Sequence, residues 1–367
     1  MGCYLECKLF KDSDDKTQFN FPQKVNEKNA SSENNNNNNN GPEPFDEKIK
    51  KLGDFTTEED FENSIPEEAK QYIKEKPFPY KSEQHNSIKQ NPVIFENGNI
   101  YYGEWNKNCE MEGYGKYYLK EEEVFVEGIW EKGELIKARI LCPNGDRYEG
   151  EIKDSVYNGI GKLTTKDYEY DGHFEKGEKN GQGTLKFKDG TEYSGAFSNN
   201  NFNGTGYMKW KDNIEFQGTF KDNRIEGGGT LNDNKGEKYV GNFKNNLFNG
   251  EGTYTYENGD IYVGNFEDGI RKGKGSYTKK DGLYFDGYWD NDCPNGDGKI
   301  KTNNKGITVN YYNGRINQKL YDDNYDDINF NFYNEPMHLK KKLPHLDNVE
   351  LSSSQYRADI SLSFLKD

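Results

Sequence analysis

A phrase of about 23 residues recurs through the middle of this chain, and no other feature constrains the fold as strongly. Its clearest copy is Tyr193-Ser194-Gly195-Ala196-Phe197, followed by Asn203-Gly204-Thr205-Gly206. It returns as Tyr239-Val240-Gly241-Asn242-Phe243 with Asn249-Gly250-Glu251-Gly252, and as Tyr262-Val263-Gly264-Asn265-Phe266 with Gly273-Lys274-Gly275. The central glycines are Gly103, Gly128, Gly150, Gly172, Gly195, Gly218, Gly241, Gly264 and Gly287. Their spacings are 25, 22, 22 and then 23 five times. Asn310 stands one further step along, as a degraded tenth copy. A fixed period of this length means stacked units rather than one enlarged core.

Each unit reads as two short strands and two turns. One turn signal precedes the tyrosine strand: Asn97-Gly98, Asn144-Gly145, Asp189-Gly190, Asn258-Gly259 and Asp281-Gly282. The other precedes Gly-x-Gly: Asn158-Gly159, Asn180-Gly181, Asn203-Gly204, Asn249-Gly250 and Asn295-Gly296. Such pairs suit turns whose two central residues take positive φ, so both sets predict tight hairpins. Strand alternation then sends Tyr193, Gly195 and Phe197 to one face and Ser194 and Ala196 to the other. Gly204, Gly206, Met208 and Trp210 share a face in the second strand. The glycines are expected to leave room for rings from neighbouring strands. The fold class is therefore all-β: an elongated, single-layer antiparallel sheet of consecutive β-hairpins. Nine units make about 18 strands, a sheet on the order of 85 Å long at about 4.8 Å per strand. An open sheet of that length is expected to twist into a curved, grooved ribbon.

Composition agrees. Apolar residues are only 31% of the 367, but aromatics are 14% and glycines number 40. Thin β-structure packed by rings fits this better than a thick aliphatic core. The period is about half that of a propeller blade, the leucine-rich pattern lacks its leucines, and no crossover helices alternate with strands. A net charge of −15 argues against nucleic acid as a partner.

Tyr-x-Gly-x-Trp/Phe followed by Gly-x-Gly at this spacing resembles the MORN repeat (membrane occupation and recognition nexus), over about 220 of the 367 residues. The resemblance implies an extended array of antiparallel hairpins that serves as a scaffold. Relatives occupy ciliary radial spokes, junctional membranes and protist cytoskeleton–membrane boundaries, and the array also accompanies lipid-kinase and lysine-methyltransferase domains. Two copies depart from the pattern. The second, Val126-Glu127-Gly128-Ile129-Trp130, has Lys137 and Arg139 where Gly-x-Gly is expected. The sixth has Phe216 for tyrosine and the run Gly227-Gly228-Gly229.

The flanks divide by composition. Residues 1–22 begin Met1-Gly2-Cys3, which resembles a myristoylation site at Gly2 with palmitoylation sites at Cys3 and Cys7. Glu6 stands where the usual pattern has Ser or Thr. Residues 23–53 carry seven consecutive asparagines and read as a disordered linker. Residues 54–92 are a capping segment, with a helix expected to start at Ser64-Ile65-Pro66-Glu67. That helix would present Ile65, Ala69, Tyr72 and Ile73 on one face. The array is 93–314. Residues 315–367 form a tail that caps the sheet edge or binds a partner.

No enzymatic constellation stands out. His85, His173, His338 and His345 lack a nucleophile or carboxylate at a telling spacing, and His173 reads as a surface residue. No zinc site and no cofactor is indicated, and no run of 18 apolar residues is present. Cys109, Cys142 and Cys293 look structural. The many Gly-x-Gly pairs lack the helix that lets such a loop grip phosphate. Two partner classes remain. The favoured one is a protein helix or strand in an aromatic groove. Its lining is Tyr101, Trp105, Tyr148, Tyr170, Phe174, Tyr193, Phe197, Trp210, Phe216, Phe220, Tyr239, Phe243, Tyr262, Phe266, Phe285 and Trp289. The other is an anionic membrane lipid met by Arg271, Lys272, Lys274, Lys279 and Lys280, or service as the accessory subunit of a lipid kinase. A homodimer through the array edge fits the same architecture. The expected place is cytoplasmic, at the cytosolic face of a membrane, in a cilium or on a cytoskeletal structure.

Overall fold

A computed structural model describes residues 44–81, 87–301, 306–319 and 337. The lipidation candidates Gly2, Cys3 and Cys7, the asparagine run, and His85, His338 and His345 lie outside the described residues. The 23 strands found among the described residues belong to one antiparallel sheet. The chain divides into two compact units, one ending at Gly181 and the other starting at Gln182.

The first unit opens with α1 (Phe45–Lys50), β1 (Gly53–Phe55), α2 (Glu58–Ser64) and α3 (Glu67–Glu75). α1 and the first residue of β1 fall within the stretch read as linker. The helix expected to start at Ser64 is α3, and a second helix, α2, ends at Ser64 ahead of it, with Ile65-Pro66 between the two. Thr57 caps α2, its side chain accepting from the Asp60 N–H. Ser64 caps nothing; its hydroxyl donates back to the Phe61 carbonyl, and Pro66 takes the N-cap position of α3. The predicted helix face does pack: Ile65 and Ala69 are buried with Phe61, Ile100, Tyr118, Phe125 and Leu141, and Tyr72 and Ile73 lie against that cluster.

The strands β2 (Ile88–Lys89) and β3 (Val93–Phe95) lead into the repeats. The repeat strands of this unit are β4 (Ile100–Trp105), β5 (Met111–Leu119), β6 (Val124–Glu131), β7 (Glu134–Leu141), β8 (Arg147–Lys153), β9 (Val156–Thr164) and β10 (Tyr168–Glu175). β11 (Glu178–Phe187) spans the division. The second unit continues with β12 (Glu192–Ser198), β13 (Asn201–Lys209), β14 (Glu215–Lys221), β15 (Arg224–Asn232), β16 (Lys238–Lys244) and β17 (Leu247–Thr255). It ends with β18 (Ile261–Glu267), β19 (Ile270–Thr278), β20 (Tyr284–Asp290), β21 (Cys293–Lys301), β22 (Gly306–Tyr312) and β23 (Arg315–Lys319). Within each unit sequence neighbours pair, so central glycines meet: Gly195 opposite Gly206, Gly206 opposite Gly218, Gly241 opposite Gly252.

The two turn signals have different fates. At Asn97-Gly98, Asn144-Gly145, Asp189-Gly190, Asn258-Gly259 and Asp281-Gly282 only the glycine has positive φ. The Asn or Asp carboxamide or carboxylate oxygen accepts from the N–H two residues on, as Asn258 does from Asp260. These are three-residue hairpins, a four-residue turn closed by a left-handed glycine. The second set does not turn at all. Gly159, Gly204 and Gly250 have positive φ inside β9, β13 and β17, where the register shifts by a bulge opposite Glu151, Ala196 and Asn242. The two-residue turns lie a few residues earlier, at Asp154-Ser155, Asn199-Asn200, Asp222-Asn223, Asn245-Asn246 and Asn291-Asp292, with both φ positive. Asn and Asp tolerate that region better than other side chains.

The register also corrects two assignments. In the second copy Ala138 stands opposite Gly128, so Ile136 and Ala138 occupy the Gly-x-Gly positions, not Lys137 and Arg139. Its hairpin has one residue fewer in the bulge. The tenth copy exists as β22–β23, but Val309, not Asn310, faces Gly298, because the paired positions Lys301 and Gly306 are one residue closer in sequence than Lys209 and Glu215.

Candidate functional site

The glycine pairs form a floor for a ring. The Tyr193 ring lies back along its own strand, and a Cβ on Gly195 or Gly206 would stand 2.6 Å from its Oη. The hydroxyl donates to the Ala196 carbonyl at 2.8 Å, the residue that the bulge exposes. Tyr101, Tyr148, Tyr170, Tyr239 and Tyr262 repeat this bond to the carbonyl three residues on. The ring that needs the space belongs to Gly195's own strand and to the strand next to Gly206's, so the room expected for neighbouring rings is found at the second glycine, and the first makes room for its own strand's ring as well. Phe216 fills the same seat over Gly218 and Gly229, so the sixth copy keeps the packing and loses only the hydroxyl bond. Burial pushes the hydroxyls of Tyr193, Tyr239 and Tyr262 well above the ordinary tyrosine range.

Each seated ring meets others edge-on. Tyr239 is T-shaped to Phe243 at 5.1 Å and to Phe266 of the next copy at 5.2 Å. It stacks on Phe248 at 3.8 Å. Tyr262 continues the ladder to Phe266 and Trp289, and Phe285 carries it to Tyr311. In the first unit Tyr101 meets Trp105 and Trp130, and Tyr148 meets Phe174. All the rings assigned to an open groove are buried, Trp210 the most accessible at 6%. They are the interior of the array: each ring covers the next, and a partner meets none of them without displacing another.

One ladder position escaped the sequence reading. The residue two before the first glycine of Gly-x-Gly faces the second aromatic across the hairpin: Phe202 opposite Phe197, Ile225 opposite Phe220, Phe248 opposite Phe243. Its signal was an apolar residue next to a turn-like dipeptide. In two copies this interior slot holds a cation.

Arg271 is one of them, opposite Phe266 and 2% exposed. Its guanidinium lies 4.5 Å from the Trp289 ring centre and donates to the Asp292 carboxylate, the Asp292 carbonyl and the Tyr256 hydroxyl. The headgroup role expected of Arg271 is thereby ruled out by burial. Lys272 pairs with Glu267, and Lys274 lies over Tyr288. Lys279 and Lys280 sit at the far turn, about 20 Å from Lys274 at ~3.3 Å per residue. The five cations are thus not one cluster.

Lys179 is the other. It lies 4.7 Å from the Tyr168 ring centre and donates to the Tyr168 hydroxyl. Burial brings its pKa down to about 8. The unfolded lysine titrates near 10.4, so between those values the unfolded chain binds the extra proton. Stability should therefore rise from about pH 8 to about pH 10, before the buried tyrosines, whose folded values are raised, reverse the trend. Lys179→Met should flatten that rise and stabilise the protein at pH 7 by on the order of 3 kcal/mol, read from thermal or urea unfolding at several pH values.

The opposite face is what a partner can touch. In the second unit one cross-strand row runs Ser194, Tyr207, Gln217, Thr230, Val240, Thr253, Val263 and Ser276 without a charge. Tyr207, Val240 and Val263 are exposed, as are Ile261 and Tyr288 beside them. His173 is also exposed. Among the described residues no group of three or more His, Cys, Asp and Glu side chains is placed to hold a metal ion. No described helix is long and apolar enough to cross a membrane.

A hairpin array with a buried ring ladder, glycine floors and no catalytic cluster among the described residues defines a β-repeat protein. The MORN repeat family matches residues 148–169, 170–192, 193–214, 239–261 and 262–284, each segment beginning on a ladder tyrosine. Residues 148–284 of this chain are MORN repeats. No curated protein sequence matches the chain. Among solved structures it is similar to the TCP10 domain of Danio rerio CPAP in a point-mutant form. The identity is 11% and the TM-score 0.25, over 63% of this chain and 98% of that one. It is also similar to the TCP domain of SAS-4 (dCPAP) of Drosophila melanogaster, solved with a proline-rich motif of Ana2 (dSTIL). There the identity is 8% and the TM-score 0.14, over 64% of this chain and 98% of that one. Scores this low carry no argument about this chain.

Proposed function

We propose that the protein is a non-catalytic scaffold that binds a protein partner on the outer face of its second unit. The observation that carries this is the uncharged row from Ser194 to Ser276, with Tyr207, Val240 and Val263 exposed upon it and Ile261 exposed beside it. The buried ring ladder holds the sheet in register, and the outer side chains are free to vary without disturbing it. A run of exposed apolar side chains on a sheet face marks an interaction surface. The site of action follows from the resemblance: a cytoskeleton–membrane boundary or a ciliary structure.

Val240→Lys with Val263→Lys tests the reading. Both side chains leave the outer face, so the double variant should keep its melting temperature within a few degrees. Partners cross-linked to the protein in its native cell should be lost. Full recovery of those partners by the folded double variant sinks the proposal. The runner-up, direct binding of anionic lipid, has weak support because Arg271 is buried and Lys272 is paired. Sedimentation with phosphatidylserine vesicles separates the two: the scaffold reading expects the protein to stay in the supernatant.

A further inference from the structure

The copy that departs most from the repeat carries a second site. Arg139 points to the outer face of β7, yet it is 2% exposed. Glu127 on β6 and Glu149 on β8 hold its guanidinium at 3.2 and 2.8 Å. The remaining donors reach two successive main-chain carbonyls, Lys76 O at 2.7 Å and Pro77 O at 3.0 Å. These belong to Lys76-Pro77-Phe78-Pro79-Tyr80, which follows α3. The Phe78 ring sits 5.5 Å from Tyr114 on β5 and 5.9 Å from the guanidinium. Tyr80 stands edge-on to Phe78, with the Lys137 ammonium 5.6 Å from its ring. Tyr114 in turn donates to Glu127.

We infer that this is a recognition site for an extended Pro-aromatic-Pro peptide. The chain's own residues 76–80 occupy it in cis, and a segment of the same chemistry from a partner protein replaces them. Three features fit. Two fixed carboxylates orient the guanidinium, so its planar fork is preorganised for adjacent carbonyls. Proline keeps a segment extended, with its carbonyls outward and no N–H to leave unpaired. The aromatic slot between Tyr114 and Arg139 then selects the ring between the prolines. The occupant is held lightly: Phe78 and Tyr80 are only half-buried, and Lys76, Pro77 and Pro79 are exposed. Reading through main-chain carbonyls accepts any chain that supplies the prolines and the ring. The site lies in the first unit, so it stands or falls independently of the outer face of the second.

The test uses the full chain and a fluorescein-labelled Lys-Pro-Phe-Pro-Tyr peptide, read by anisotropy. Phe78→Ala weakens the cis occupant, which competes at an effective concentration near millimolar, and should tighten peptide binding by about tenfold or more. The peptide with alanine in place of phenylalanine should not bind. Arg139→Lys in the Phe78→Ala background should abolish the gain, because a lysine cannot fork two carbonyls. A folded Phe78→Ala variant that binds the peptide no better than wild type overturns the proposal. Should that variant fail to fold, hydrogen exchange on the wild-type chain decides. Millimolar peptide should raise exchange at Phe78 and Tyr80 while leaving β7 protected, and unchanged exchange at both overturns the proposal equally.

Discussion

Gly241→Val should lower stability by about 3 kcal/mol or more, at the upper end of what overpacking costs. A Cβ at Gly241 would lie 2.5 Å from the Tyr239 hydroxyl oxygen and 2.7 Å from the Gly252 Cα. The first contact evicts the ring from its seat, and the second forces two backbones apart. Lifting Tyr239 also breaks its bond to the Asn242 carbonyl and its stack on Phe248. Gly228→Ala is the matched control. Its φ is ordinary, and a Cβ there would meet only the Asn242 side-chain oxygen, at 4.0 Å. That substitution should be neutral or slightly stabilising, since alanine has less chain entropy to lose. Tyr239→Phe should fall between, at about 1 kcal/mol for one hydrogen bond, because Phe216 and Phe285 already fill the same seat in their copies. Urea unfolding of the three variants checks the order. Equal midpoints for Gly241→Val and wild type would refute the floor role of glycine.

Arg271→Ala should cost about 3 kcal/mol, the lower end for removing one partner of a buried ion pair. It leaves the Asp292 carboxylate and the Tyr256 hydroxyl without their cation and opens a gap beside Trp289. Asp292 is partly exposed and still accepts from the Arg271 main-chain N–H, which keeps the loss from being larger. Arg271→Phe should cost much less, under about 1.5 kcal/mol, as a swap of similar volume. Phe202 and Phe248 hold the equivalent slot and stack on Tyr193 and Tyr239. Equal losses for the alanine and phenylalanine variants would mean that the ion pair, not the filled slot, stabilises this copy.

Much of this was legible in the chain. The period and the Tyr-x-Gly-x-Phe phrase set the strand pairs and the face on which the rings lie, because a strand repeats every two residues and a 23-residue unit leaves little choice of register. The alternation placed Tyr193, Gly195 and Phe197 together, and the structure keeps them together. The use of the glycines was legible in part: space for a neighbouring strand's ring was expected and is what Gly206 and Gly252 give, but not that Gly195 and Gly241 would also seat a ring of their own strand. The Asn-Gly dipeptides misled for a physical reason. A left-handed glycine serves a two-residue turn, a three-residue turn and a strand bulge equally well, and local sequence does not distinguish them. Lys137 and Arg139 were misplaced by one residue because the bulge of that hairpin is one residue shorter.

What the sequence by itself determined was the class of structure: antiparallel hairpins in register with one aromatic face. What only the tertiary structure decided was accessibility. The same aromatic stripe reads as an open groove or as a closed interior, and packing between successive copies closes it. The same packing buries Arg271 and Lys179 in ring slots, where a linear pattern shows only basic residues. Arg139 gained its carbonyl partners from a segment some 60 residues earlier in the chain, Lys76 and Pro77. No local rule reports such a contact, because it depends on where the helices before the repeats come to lie across β6, β7 and β8.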